Sequence, residues 1–219
     1  MLPTPITTHL SRPEYRDVYD PAEDTFLLLD ALEEQTSYLK HNVVPTICLE
    51  IGSGSGCVIT FLATLLGPLS CLYLATDINS VAARATLETS RVNSVYLDVI
   101  NTEFAYSLDS RLSKSIDVLI FNPPYVVTSD EEVGSTSIEA AWAGGLDGRK
   151  VIDAFLELLP TLLSPRGVCY MVCIRENKPD EIGELVKRYG LESQNIMTRT
   201  AGRERLSILK FTYSQHAVP

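Results

Sequence analysis

A chain of 219 residues with 45% hydrophobic content is expected to fold as one domain around a full core. Its formal charge of −10 and pI of about 4.8 argue against unaided binding to duplex nucleic acid, which depends on phosphate neutralisation by Lys and Arg. No apolar stretch approaches the ~20 residues of a membrane helix, and the N-terminus lacks a charged-then-apolar secretory signal. The expected compartment is therefore the cytoplasm, with the nucleus as a second. The five cysteines, Cys48, Cys57, Cys71, Cys169 and Cys173, form no CxxC pair and read as free buried thiols in a reducing compartment. Cys169 and Cys173 share a strand face, but no His lies near them and no metal is expected.

Residues 1–18 are polar and proline-punctuated and are expected to be irregular; 19–219 form a single domain. Asp20-Pro21 predicts a helix start, with Asp20 as cap and Pro21 in the first turn. Phe26, Leu27, Leu29, Leu32 and Leu39 fit its buried face. A buried strand over 46–51 runs into Glu50-Ile51-Gly52-Ser53-Gly54-Ser55-Gly56, followed by a helix over 56–66. A strand over 71–76 ends at Asp77, and Ser80 is the expected cap of a helix reaching Asn93. A short strand near 97–101 precedes an apolar strand over 116–121. A loop marked by Gly134, Gly144 and Gly145 leads to a helix over 148–163, a strand over 167–174 and a helix over 179–189. The last strands, near 192–200 and 205–213, are joined through Ala201-Gly202-Arg203. So short a link cannot make a parallel crossover, so these two pair antiparallel. Alternating strands and helices imply a parallel sheet covered on both faces. The expected fold is α/β and Rossmann-like, with seven strands, mostly parallel and ending in an antiparallel pair. That arrangement resembles the class I S-adenosylmethionine-dependent methyltransferases more than the dinucleotide dehydrogenases.

The segment Asn122-Pro123-Pro124-Tyr125 carries the chemistry. Two prolines remove two backbone N–H donors. They leave the Asn122 side-chain oxygen and the carbonyls of Asn122 and Pro123 as acceptors, and proline holds the preceding residue extended. Such a corner suits a planar NH2 group, whose two hydrogens need two acceptors, and Tyr125 offers that group a flat face. The indicated chemistry is methylation of an amide or amino nitrogen. The glycine turn lets the backbone approach a ligand closely. Asp77, at the end of the next strand, can accept hydrogen bonds from ribose hydroxyls. All three features fall at carboxyl ends of strands, where open α/β sheets bind ligands. Plainer readings stand beside these. The proline pair could be a structural turn, and the glycine turn could hold a dinucleotide, although G-x-G-x-G departs from the usual fingerprint. Asp77 could cap the following helix. Glu23 and Asp24 could serve only the helix dipole, and Thr25 could be helix surface. Trp142 reads as a packed loop anchor, and Asp130-Glu131-Glu132 as a solvated loop.

With Asn122-Pro123-Pro124-Tyr125 beside Glu50-Ile51-Gly52-Ser53-Gly54-Ser55-Gly56, the chain resembles the HemK-type glutamine methyltransferases, which modify class I translation release factors. Tyr19-Asp20-Pro21-Ala22-Glu23-Asp24-Thr25-Phe26-Leu27-Leu28 and Ile138-Glu139-Ala140-Ala141-Trp142-Ala143-Gly144-Gly145 resemble the eukaryotic and archaeal branch. The likeness runs from about Val18 to Phe211. Bacterial members carry a helical N-terminal domain for which the 45 or so residues before the first strand leave no room. The resemblance implies S-adenosylmethionine as cofactor, the Gly-Gly-Gln loop of a class I release factor as substrate, and a small zinc-binding Trm-type activator as partner. It implies Thr25, Glu50, Gly52, Gly54, Asp77, Glu103, Phe104 and Asn122 around the cofactor, with Asp77 on the ribose and Glu103 and Phe104 near the adenine. Glu103 stands where the family usually has Asp. It implies Asn122, Pro123, Pro124, Tyr125 and Val126 around the glutamine, with Asn122, Pro123 and Tyr125 as the catalytic group. No histidine has a role: His9, His41 and His216 are expected to be exposed. Adenine-N6 methyltransferases share the Asn-Pro-Pro-Tyr motif, so methylation of an adenine in DNA or RNA is the second reading. Methylation of a protein lysine, or a scaffold that binds the donor without turning it over, would also be compatible with a methyltransferase fold.

Overall fold

The computed structural model describes residues 2–129 and 142–214. The acidic stretch at 130–132, Gly134, the segment 138–141 and His216 lie outside these residues. In chain order the main elements are α1 (Glu23–Glu34), β1 (Ile47–Ile51), α2 (Cys57–Leu66), β2 (Leu72–Asp77), α3 (Ser80–Val92) and β3 (Asp98–Asn101). There follow β4 (Ile116–Phe121), α4 (Lys150–Leu162), β5 (Leu163–Ile174), α5 (Pro179–Lys187), β6 (Leu191–Ala201) and β7 (Glu204–Tyr213).

The strands form one sheet in the order β3-β2-β1-β4-β5-β7-β6. The first five are parallel, and β7 inserts between β5 and β6, antiparallel to both. All six residues of β4 are buried, as befits a central parallel strand covered on both faces. The strand order reverses at the β1–β4 junction, the kind of point where ligands bind in such sheets. Register makes that junction a site: Ile51 pairs with both Thr76 and Phe121. Gly52, Asp77 and Asn122 therefore leave the sheet at one level on adjacent strands.

Several local expectations need correction. Helix α1 starts at Glu23 rather than Pro21. Asp24 and Thr25 occupy the buried side of its first turn, which rotates Phe26 to an exposed position and puts Leu28 in the core. The cap of α3 is Asn79, whose side chain accepts from the Val81 N–H; Ser80 is its first residue. β5 begins at Leu163, four residues before Gly167, because Leu163 pairs with Ile116 across a register shift.

The N-terminal segment is not merely irregular. It makes two 3-10 turns, Thr8–Ser11 and Pro13–Tyr15. Leu10, Tyr15 and Val18 pack on Ala82 and Ala85 of α3. His9, expected at the surface, is buried edge-on to Tyr15 and lies 3.2 Å from the Thr89 hydroxyl. A polar-looking sequence concealed one apolar residue per turn, enough to strap the segment to α3.

At the opposite end of the sheet a buried carboxylate ties three elements together. Asp117 accepts from the Thr46 N–H (2.8 Å) and hydroxyl (2.7 Å), the Ser164 hydroxyl (2.7 Å) and Arg166 Nε (3.2 Å). Burial pushes its pKa up, but the bonds from Arg166, Thr46 and Ser164 outweigh burial and hold it at about 2. The drop from an ordinary carboxylate corresponds to about 2 kcal/mol of stability. That contribution is present above the ordinary carboxylate range and is lost as pH falls through the depressed value. Asp117→Asn is therefore expected to lower urea-unfolding stability by about 2 kcal/mol near neutral pH. The gap from the parent should close as pH is taken from about 4 to about 2; a gap constant across that range would refute the account.

Candidate active site

A cleft of about 340 Å³ opens over the carboxyl ends of β1, β2 and β4. Thr25, Glu50, Gly52, Gly54, Asp77, Glu103, Phe104, Asn122 and Pro124 all line it. The glycine turn is shaped by contact as well as by flexibility. Gly56 has φ +74°, and a Cβ there would lie 2.6 Å from the Thr86 Cα, so α3 packs directly on the turn.

Asp77 organises the donor side. Its Oδ2 accepts from the Gly54 N–H and its Oδ1 from the Asn79 N–H, each at 2.8 Å. Burial raises its pKa and these two amide bonds pull it back. Each oxygen keeps a second lone pair for a ligand hydroxyl. Asn101, at the end of β3, donates to the carbonyls of Asp77 and Ile78. This brings Thr102, Glu103 and Phe104 to the rim of the cleft. Phe104 adopts φ +45° and meets Phe121 edge-on at 6.2 Å.

Glu50 is buried at the end of β1, with Oε2 accepting from the Ile59 N–H at 2.9 Å. Burial pushes its pKa well above the ordinary range, against the opposing effect of that bond.

The acceptor corner is held from below by Asp24. Asn122 Nδ2 donates to Asp24 Oδ2 at 2.9 Å, and the Tyr125 hydroxyl donates to the same oxygen at 3.2 Å. Asp24 Oδ1 accepts from the Thr25 N–H at 2.7 Å. A carboxylate oxygen only accepts, so the Asn122 amide must present its nitrogen to it. The Asn122 Oδ1 is consequently left buried without a partner. An unsatisfied buried acceptor costs about 1–3 kcal/mol, a cost that a ligand N–H would remove.

Of the residues expected around the substrate, Pro123 and Val126 line neither this cleft nor the second one beside Tyr125. Pro123 is buried beneath the corner. Val126 is locked by its backbone, which donates to the Trp142 carbonyl (3.0 Å) and accepts from the Gly144 N–H (2.8 Å). Tyr125 lines a second cleft of about 510 Å³ between the start of α1 and the β6–β7 turn. Tyr19 and Asp24 line both clefts. Burial, with Asp24 nearby, pushes the Tyr19 hydroxyl up to about 12. Glu204, on the far wall, is raised by burial and by Asp24 and Glu176. Asp24, Tyr19 and Glu204 were missing from the expected site. Only Asp24 carried a usable signal, an acidic residue beside Thr25 on the inward side of a helix start.

Glu50 yields a stability test. A carboxyl whose folded-state pKa is raised costs stability as pH climbs above the unfolded value of about 4.3. Glu50→Gln is therefore expected to melt a few degrees higher than the parent at about pH 8 in the absence of ligand, the advantage fading by about pH 4. A variant that melts lower than the parent at about pH 8 but matches it near pH 4 would show that Glu50 stabilises the fold as an ion.

No protein-family model matches the chain. It is 53% identical over 211 residues to methyltransferase HEMK2 of Homo sapiens, spanning 96% of this chain and 97% of that protein. It is 41% identical over 220 residues to the eRF1 methyltransferase catalytic subunit mtq2 of Schizosaccharomyces pombe, spanning 96% and 95% respectively. Among solved structures, the E. cuniculi Mtq2–Trm112 complex responsible for methylation of the eRF1 translation termination factor aligns with a TM-score of 0.65 at 27% identity, covering 90% of this chain and 99% of that one. Sheet order, cleft and sequence identity agree: the chain is an S-adenosylmethionine-dependent methyltransferase and belongs to the HemK-type release factor glutamine methyltransferases, in their eukaryotic and archaeal branch.

Proposed function

We propose that this protein methylates the amide nitrogen of the glutamine in the Gly-Gly-Gln loop of a class I translation release factor, in the cytoplasm, as the catalytic subunit beside a small zinc-binding activator. The observation that carries the reading is the orphaned Asn122 Oδ1. A primary amide offers it an N–H.

The chain's residues fit S-adenosylmethionine. We assign the Asp77 carboxylate to the ribose hydroxyls and Glu103 and Phe104 to the adenine end; Thr25 and Glu50 line the same cleft. When bound, that cofactor supplies a methyl group on a positively charged sulfur. The chain does the remaining work. A glutamine nitrogen is a poor nucleophile because its lone pair is shared with the carbonyl. The Asn122 oxygen, accepting from its N–H, pushes electron density back to nitrogen and stabilises the positive charge that grows there. One preorganised group of this kind is worth about 2.7–4 kcal/mol, and alignment of the reacting atoms supplies much of the rest. Asp24 acts one step back, fixing which end of the Asn122 amide meets the substrate. No base is required before transfer, and the excess proton leaves afterwards to water.

Incubation with release factor, activator and labelled donor is expected to label that glutamine. Asn122→Ala should cut turnover by about 10²–10³ while changing donor affinity little. A folded complex that binds donor and labels nothing would overturn the proposal.

Among the described residues, strand β3 pairs only with β2 and forms one edge of the sheet. Val99 and Ile100 are half-buried there, and Tyr96, just before the strand, is 75% exposed. An open edge bordered by apolar side chains invites pairing with another chain, and we place the activator on it. Val99→Lys is expected to weaken the association at least about tenfold, a loss of about 1.4 kcal/mol, with donor affinity unaltered. Unchanged association by calorimetry would move the activator elsewhere.

A further inference from the structure

We propose that Asn177, which lines neither cleft, is a positioning residue for methyl transfer: it grips the Tyr125 carbonyl and so fixes the acceptor corner. The inference rests on the reading of Asn122 given above. Asn177 ends a 3-10 turn, Arg175–Asn177, that follows β5. Its side chain is fully buried. The Nδ2 donates to the carbonyls of Tyr125 (2.8 Å), Asp147 (3.0 Å) and Gly148 (3.3 Å), and the Oδ1 accepts from the Ile174 N–H (2.8 Å). It lines neither cleft, so it touches neither donor nor substrate.

The grip is tight because nothing else fits around the same carbonyl. Gly148 sits at φ +64°, and a Cβ there would lie 2.0 Å from the Tyr125 oxygen and 2.5 Å from Asn177 Nδ2. A Cβ on Gly144 would lie 2.7 Å from the Pro124 oxygen. The backbone leaving the corner is therefore enclosed by two glycines and clamped by one amide.

Tyr125 transmits the constraint. Its carbonyl is held by Asn177, and its hydroxyl donates to the same Asp24 oxygen that orients Asn122. Release of the carbonyl lets the Tyr125 ring shift, which loosens Asp24 and frees the Asn122 amide to rotate. An asparagine that merely satisfied the core would lower stability without this directed consequence.

The test combines kinetics with a readout that needs no substrate. Asn177→Ala is expected to lower kcat about 30-fold with donor Kd within about twofold. The Asn122 side-chain amide protons, followed by NMR in the donor-bound protein, should exchange at least about tenfold faster. In a Tyr125→Phe background, which lacks the hydroxyl link, Asn177→Ala should cost less than about a third of that factor. Asn177→Ser, which keeps one donor, should fall between parent and alanine variant, and it serves if the alanine variant does not fold. Equal losses in both backgrounds, unchanged Asn122 exchange, or donor affinity and turnover falling together would overturn the inference. If the parent labels no glutamine yet Asn122 exchange still rises in the variant, the proposed substrate is wrong and the positioning role stands.

Discussion

One buried carboxylate oxygen sets the polarity of this site. Asp24 Oδ2 receives both the Asn122 amide and the Tyr125 hydroxyl. Without it, the Asn122 side chain has two nearly isosteric orientations, one offering an acceptor and the other a donor. A corner built to hold an NH2 group works only in the first. Asp24 reaches it from α1, roughly a hundred residues away in sequence, and can do so only because the first turn of that helix is rotated inward. The exposed Phe26 is the counterpart of that rotation: with Asp24 and Thr25 turned in, the helix cannot also bury position 26.

The sheet supplies the second constraint. Because Ile51 is in register with both Thr76 and Phe121, the glycine turn, Asp77 and Asn122 emerge side by side. A one-residue slip would invert every side chain on β4 and take Asp117 off its bonds to Thr46, Ser164 and Arg166. The distance between donor site and acceptor corner is thus fixed by hydrogen-bonded strands rather than by loops. The loops then need only local anchors, which Asn79, Asn101 and Asn177 provide through side-chain bonds to backbone.

These facts explain which features were readable in advance. The strands were legible because apolar runs bounded by Gly, Pro and Asp have few other solutions, and the antiparallel end followed from a three-residue link. Much of the cleft was legible because Glu50, Gly52, Asp77 and Asn122 sit at strand ends, whereas Thr25, on α1, came only with the family resemblance. Asp24 was legible only as an acidic residue at a helix start, open between the dipole and the site, because a helix rotation decides which; Glu204 was not legible, since it meets the site through a hairpin turn that no spacing encodes. The strap at residues 8–18 was missed for a related reason. Its apolar residues, Leu10, Tyr15 and Val18, are too sparse for a periodic signal and become a cluster only against Ala82 and Ala85. Val126 is a glutamine contact by resemblance alone, and its backbone bonds to Trp142 and Gly144 give it instead the task of tethering the corner.

The distribution of acid groups makes chemical sense on the proposed reaction. Glu50 and Asp77 lie buried along one cleft, and Asp24 sits between it and the second. Burying carboxyls is costly, as the raised pKa values of Glu50 and Asp77 attest. The cost is intelligible if the total positive charge in the site stays constant during transfer while moving from sulfur to nitrogen. Acids along the whole path then favour binding of the charged donor, but they accelerate nothing by themselves, because uniform stabilisation does not lower the barrier. What must change between ground and transition state is the interaction at nitrogen, where charge appears only as the methyl arrives. The orphaned Asn122 oxygen is the group placed to respond to that change, and this is why the protein commits a carboxylate, a tyrosine and two prolines to the orientation of a single amide.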